Sequence, residues 1–326
     1  MSRSFPSRPA RWRHLATAAL AALSLLAVGS ITACGDETGT GGSDGKLRIG
    51  YQRFGGLSLV KARELAPDAE WSLFESGTAV TEALKAGAID IGQTGEAPPI
   101  FAAAGKVPFS IIGTSEPLPE GEAVLVKESS GFTSFADLKG KKVALNKGSN
   151  VHWLLVRLLE KHDMTIDDLD VSYLKPTEGR PAFDNDQVDA WIIWDPYFAL
   201  AEQEGVKVLA DATGLANNRE YILANPDALE HKTDLIRDFL TTYDEVTKWG
   251  IANPQERAKI LAPELKMPQE TTTRALARAA KPLAPVTPAV GDEIQAIADS
   301  FAGLGLIPGE VDIKGRIDDR FNEVFE

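Results

Sequence analysis

One arrangement occurs twice along this chain. A short apolar strand runs into a glycine-containing turn that opens a helix, at Gln52-Arg-Phe-Gly-Gly-Leu-Ser58 and again at Asn146-Lys-Gly-Ser-Asn150. Each set then announces its third strand with a similar phrase, Gly87-Ala-Ile-Asp-Ile91 and Asp186-Gln-Val-Asp-Ala190. Each leaves that strand through a polar turn with proline, Thr94-Gly-Glu-Ala-Pro98 and Trp194-Asp-Pro196. Strands alternating with helices mark βαβ units and parallel sheets, so the repetition predicts an α/β chain of two similar lobes. In open sheets of this kind the ligand sits beyond the carboxyl ends of the strands, which is where these turns fall.

Strands of the first set are expected at Leu47 to Gln52, Trp71 to Glu75, Ile89 to Thr94 and Phe109 to Gly113, with helices at Leu57 to Leu65, Ala79 to Ala86 and Pro99 to Ala104. Those of the second are expected at Lys142 to Asn146, Val171 to Leu174 and Ala190 to Trp194, with helices at Asn150 to His162 and Arg180 to Asp184. From about Thr233 the pattern is helical. Leu235, Ile236, Phe239, Leu240, Tyr243 and Val246 form one buried stripe on a helix over Asp234 to Ile251. Helices over Ala275 to Leu283, Glu293 to Leu304 and Ile317 to Phe325 continue it, as packing elements without chemistry of their own. The 326 residues suffice for two lobes, each around its own sheet. The chain is expected to cross between them near Val126 and near Leu215, giving a first lobe of residues 46–125 and 216–326 and a second of residues 126–215.

Residues 1–33 form a targeting segment rather than part of a lobe. Arg3, Arg8, Arg11 and Arg13 precede an apolar run from Leu15 to Val28, the right length for a secretory core and short for a permanent span. Ile31-Thr-Ala-Cys34 follows. Cys34 is the single cysteine of the chain, so an exported product makes no internal disulfide, and the thiol is better explained as an anchor than as a redox group. Residues 35–45 are glycine-rich and polar, a flexible tether of roughly 18 Å mean span. Beyond residue 33 the chain holds 30 basic and 47 acidic residues, a formal −17, which argues against nucleic acid as a partner.

Several turns are candidate anion sites. Lys147-Gly-Ser-Asn-Val-His152 joins a strand to a helix, where free N–H groups and the helix dipole favour an anion. Ser149 adds a hydroxyl or serves only as an N-cap. Thr94-Gly95 and Ser76-Gly77-Thr78 have the same form, and Gly95 permits close approach to the backbone. Alternation along Trp191-Ile-Ile-Trp194 puts the two tryptophans on opposite faces, with Trp194 the better placed to line a pocket. Asp195 joins that wall or simply opens the next helix. Asp184-Asn-Asp186 lacks the glycine and glutamate of a calcium loop, and the histidines show no metal-ligand spacing. No phosphate-binding or nucleophile-elbow motif is present.

Together Leu47-Arg-Ile-Gly-Tyr-Gln52, Thr94-Gly-Glu-Ala-Pro-Pro-Ile100, Asp137-Leu-Lys-Gly-Lys-Lys-Val-Ala144, Lys147-Gly-Ser149 with His152, and Val188-Asp-Ala-Trp-Ile-Ile-Trp-Asp-Pro196 resemble the aliphatic sulfonate-binding proteins of ABC importers. The resemblance runs from about Leu47 to Ile317 and is thinner in the C-terminal helices. Ile31 to Cys34 resembles the lipobox of bacterial lipoproteins, in which the cysteine is acylated.

The family resemblance implies a two-lobed periplasmic-binding-protein fold (type II), an anion in the cleft, no catalysis and no cofactor or metal. By motif it places Gln52, Thr94, Gly95, Ser149, His152, Trp194 and Asp195 at the ligand, with Ser76, Gly77 and Thr78 in another cleft turn. Arg180 matches a family arginine that either contacts ligand or holds the region between the lobes. Phe54 stands where smaller residues are common and would narrow the cleft against the organic tail. The implied partners are an alkanesulfonate, the permease and ATPase subunits of an ABC importer, and the membrane surface through the lipid anchor, with the protein acting as a monomer. Taurine, nitrate and a thiamine-precursor pyrimidine remain alternative ligands, and an enzyme on the same fold remains a further alternative.

Overall fold

The computed structural model describes residues 45–202 and 205–326; the targeting segment, Cys34 and the tether through Asp44 lie outside them. The first lobe opens with β1 (Arg48–Gln52), α1 (Gly56–Ala62), β2 (Glu70–Phe74), α2 (Gly77–Lys85), β3 (Ile91–Gly95), α3 (Ala97–Ala104) and β4 (Ser110–Ser115). The second consists of β5 (Glu122–Lys127), β6 (Lys142–Leu145), α4 (Asn150–Lys161), β7 (Asp170–Tyr173), α5 (Pro176–Asp184), β8 (Ala190–Trp194), α6 (Tyr197–Glu202) and β9 (Val206–Asp211). The chain returns through β10 (Glu220–Ala224) and ends with α7 (Pro226–His231), α8 (Thr233–Ala252), α9 (Pro254–Leu265), α10 (Gln269–Arg278), β11 (Leu283–Ala284) and α11 (Pro288–Gly303).

The repetition read in the sequence appears as matched topology. One sheet has the order β11-β4-β10-β3-β1-β2 and the other β7-β6-β8-β5-β9. In each, a central strand pairs in parallel with two neighbours: β1 with β2 and β3, β6 with β7 and β8. Each sheet also takes in, antiparallel, the strand that follows a crossing between lobes. β10 lies between β3 and β4, and β5 between β8 and β9. Strands covered on both faces read as continuous apolar runs rather than alternating ones, as Ala190 to Ile193 do, all four buried.

Helix α4 shows how sequence sets the packing. Val151, Leu154, Leu155, Leu158 and Leu159 recur at helical spacing, are buried, and join the core cluster of β6. Truncating one of them, such as Leu154, to alanine costs about 2–5 kcal/mol by the usual cavity rule. Helix α8 buries Ile236, Phe239, Leu240, Tyr243 and Val246 in the same way, whereas Leu235, expected in that stripe, is exposed at 42%.

Three expectations are corrected. Val126 is not a crossing point, because it pairs with Ala190 and Lys207 inside β5. The crossing comes earlier, between β4 and β5, since the apolar run Ala123 to Val126 is buried within the second sheet. The helix expected over Ala275 to Leu283 ends at Arg278, and Leu283 joins the edge of the first sheet opposite Ser115. Ile317 to Phe325 is not one helix. Ile317 bridges to Ile111, and the Asp318 N–H donates to the Ile111 carbonyl at 2.9 Å. Asn322 Oδ1 accepts from the Val286 N–H, so sheet-edge bonds outcompete the helical periodicity there.

The two crossing segments are tied to each other. The Leu118 N–H donates to the Asn217 carbonyl at 2.8 Å, and Asn218 Nδ2 donates to the Leu118 carbonyl at 2.8 Å. Arg219 Nη1 donates to the Ser115 carbonyl at 2.6 Å, while Ser115 Oγ accepts from the Glu220 N–H.

Candidate functional site

The carboxyl ends of β1, β2 and β3 face those of β6 and β8 across a cavity of about 440 Å³. This is the crevice that the α/β rule assigns to ligands. Gln52, Glu75, Gly77 and Gly95 line it from the first lobe, and Ser149, Asn150, Thr177, Trp194 and Asp195 from the second. Leu118, Gly121 and Asn218 of the crossing segments form its back. Apolar surface comes from Phe54, Leu73, Phe74, Trp194, Leu200 and Leu265.

Of the residues singled out in the sequence, Gln52, Phe54, Gly77, Gly95, Ser149, Trp194 and Asp195 line this cavity. The other five do not. Ser76 is the N-cap of α2, its hydroxyl accepting from the Ala79 N–H and lying 2.8 Å from Thr78 Oγ1. Thr94 is buried and its hydroxyl donates to the Gly95 carbonyl at 3.0 Å. His152 is wholly buried one turn into α4. Arg180 lies on α5, its Nε donating to Asp184 Oδ2 at 2.7 Å.

Gly95 makes room for a group that the sequence did not disclose. A Cβ at that position would lie 2.0 Å from Asn150 Oδ1, so the close approach it permits is that of the opposite lobe. Asn150 Oδ1 accepts from the Ala97 N–H of the first lobe at 3.3 Å, and its Nδ2 donates to Asn218 Oδ1 at 2.5 Å. Another bond joins the lobes at the rim, from the Thr177 N–H to Glu75 Oε1 at 2.9 Å.

Asp195 both opens the next helix and forms part of the wall. Its Oδ1 accepts from the Ala199 N–H, and Arg278 grips both carboxylate oxygens at 2.7 and 2.9 Å. Arg278 also reaches Glu202 Oε2 and stacks 3.8 Å from the Phe198 ring centroid. Burial pushes the Asp195 carboxyl up to about 6, with Arg278 opposing it. Glu220, also at the cavity, is pushed up to about 7 by burial against the opposing charge of Arg257. Sequence reasoning missed Arg278, Leu265 and Ala279, which line the cavity from the C-terminal helices treated as mere packing. It also left Arg53, Glu75, Asn150 and Tyr197 out of the ligand set, although Arg53 and Asn150 lie in turns that it singled out.

Two lobes of matched topology, joined by paired crossings and enclosing a cavity between strand ends, define a periplasmic-binding-protein fold. The family model described as NMT1/THI5 like matches residues 73–257. A relative from Escherichia coli (strain K12), named for binding aliphatic sulfonates, is 37% identical over 280 residues, covering 83% of this chain and 88% of its own. Among solved structures, the periplasmic aliphatic sulphonate binding protein SsuA from Escherichia coli superposes with a TM-score of 0.76 at 36% identity, covering 83% of this chain and 97% of that one. The alkanesulfonate-binding protein SsuA from Xanthomonas axonopodis pv. citri, bound to MOPS, gives 0.80 at 31% identity, covering 85% and 99%. The chain belongs to the aliphatic sulfonate-binding family of periplasmic binding proteins.

Proposed function

We propose that this protein is the extracytoplasmic receptor of an ABC importer, capturing an aliphatic sulfonate between its lobes and carrying out no catalysis. The observation that carries the reading is the two-sided cavity, with strand-end and helix-start turns at Gly77, Gly95 and Ser149 and a wall of Phe54, Phe74, Trp194 and Leu200. A sulfonate stays ionised and offers three acceptor oxygens, so it needs donors rather than a proton partner. The backbone N–H groups at the start of α4 and the Gln52 amide are the donors we assign to it, and the apolar wall takes the carbon tail. Relatives named for sulfonate binding support a sulfonate as the ligand.

The protein acts outside the cytoplasm as a monomer, held to the membrane surface by acylated Cys34, and passes its ligand to a permease with its ATPase. The lobes move about the crossing segments at residues 116–121 and 212–219. A second reading has one observation in its favour: Glu75 at the cavity would suit an ammonium group, as in the amino-sulfonate taurine.

Calorimetric titration of residues 46–326 with methanesulfonate, octanesulfonate, taurine, nitrate and sulfate tests the assignment. Micromolar binding of the alkanesulfonates is expected, stabilising the fold by roughly 4 kcal/mol at about 1 mM ligand. Preference for taurine selects the second reading, and binding of inorganic anions alone overturns both.

A further inference from the structure

Three observations converge on His152. It is wholly buried, yet its Nδ1 accepts a hydrogen bond from the Gly148 N–H at 3.2 Å. Its ring stacks on Phe101 and Phe301, with centroids 5.9 and 5.8 Å away and planes inclined by 30° and 29°. Its Nε2 lies 3.5 Å from the Tyr173 hydroxyl. An Nδ1 that accepts fixes the neutral tautomer with the proton on Nε2. Burial holds the ring neutral by pushing it down to about 4, and the neighbouring Lys147 charge adds to this.

The bond closes a small ring of backbone around the turn. Gly148 stands at φ +72, in the left-handed region. Ser149 Oγ donates to the Asn146 carbonyl at 2.7 Å, and the His152 N–H donates to the Ser149 carbonyl at 2.9 Å. Gly148 is turned inward and does not line the cavity, whereas Ser149 and Asn150, the next two residues, do. The resemblance placed His152 among ligand contacts; its atoms face the turn instead.

We propose that His152 is a positioning residue, whose neutral Nδ1 holds the Gly148 amide inward and so sets Ser149 and Asn150 against the ligand. This rests on the reading of the cavity as the anion site. The acceptor, rather than the ring volume, carries the effect, and two substitutions separate them. In His152→Asn, Oδ1 occupies the place of Nδ1, but the stack on Phe101 and Phe301 is lost. His152→Phe keeps a ring in the stack and removes the acceptor.

The test measures octanesulfonate affinity by calorimetry, stability by urea unfolding and Gly148 amide exchange by NMR in the chain 46–326. His152→Asn is expected to be the less stable variant, yet to bind within about threefold of the parent and keep Gly148 protected. His152→Phe is expected to be the more stable variant, to bind about tenfold or more weaker, the effect of one lost hydrogen bond, and to exchange Gly148 rapidly. His152→Leu serves as the apolar variant if His152→Phe does not fold. Affinity that follows stability, with His152→Phe the tighter binder, overturns the proposal alone. A parent that binds no sulfonate overturns the site reading on which it rests.

Discussion

Gly95→Ala is a small change with a calculable effect. The new methyl carbon would lie 2.0 Å from Asn150 Oδ1, 2.3 Å from Nδ2 and 2.4 Å from Cγ, well inside contact distance. Gly95 does not occupy the left-handed backbone region, so alanine is conformationally allowed and the penalty is steric. To make room, Asn150 must withdraw from its bonds to the Ala97 N–H and to Asn218 Oδ1. At about 1 kcal/mol net for each bond, the contact between lobes weakens by about 2 kcal/mol. If ligand is held with the lobes in contact, that is roughly a 30-fold loss of sulfonate affinity.

The assay is a double-mutant cycle with Asn150→Ala, read by calorimetry. Asn150→Ala alone loses the same two bonds and should cost a similar amount. In its background the polar atoms nearest the new methyl are gone, so Gly95→Ala should add less than about 0.5 kcal/mol, leaving a coupling energy of about 1.5 kcal/mol. Equal Gly95→Ala penalties in both backgrounds would refute this account. They would mean that the methyl obstructs the ligand itself, the role the sequence first suggested for Gly95.

Three further outcomes are expected. Glu96 is buried and held up to about 8, chiefly by burial, so its proton favours the fold below the unfolded value of 4.5 and this contribution is lost as pH rises through 8. Glu96→Gln should therefore gain on the parent between pH 5 and 8, by an amount on the order of 4 kcal/mol at the upper end, in urea unfolding at stepped pH. Arg278→Met leaves Asp195 buried without its cation and should cost about 3–5 kcal/mol at pH 8. The cost should shrink at about pH 5, where the Asp195 carboxyl can take a proton, so an equal loss at both pH values would contradict the ion-pair account. Trp194→Ala should weaken octanesulfonate by about 1–2 kcal/mol while leaving methanesulfonate nearly unchanged, which paired calorimetric titrations can check.

What was legible in the sequence, and what was not, divides along physical lines. Parallel strands and their helices announce themselves locally, through apolar runs and the turns that punctuate them, so β1 to β3, β6 to β8 and α4 fall within a few residues of expectation. The inserted strands β5 and β10 are apolar runs as well, at Ala123 to Val126 and Tyr221 to Ala224, but nothing local tells which sheet takes them in. Their pairing is decided by where the chain returns in space, so neither Glu122 nor Glu220 could be placed beforehand. The same distinction separates the site residues. Ser149, Trp194 and Gly95 sit in the turns that strand periodicity locates, whereas Arg278 reaches Asp195 across 83 residues of chain.

His152 illustrates a subtler limit. A motif records that a residue accompanies a turn, not which way its ring points, and here the ring supports the backbone from inside. Gly95 makes the same point from the other side: a glycine says only that something comes close. The approaching group is an asparagine of the opposite lobe, 55 residues further along. The residues that tie the lobes together are therefore the ones least visible in sequence, since each depends on a partner that only the folded chain supplies. If ligand is held with the lobes in contact, mutations at Asn150, Glu75 or Arg278 should thus lower affinity, although only Asn150 and Glu75 adjoin turns that the sequence singles out.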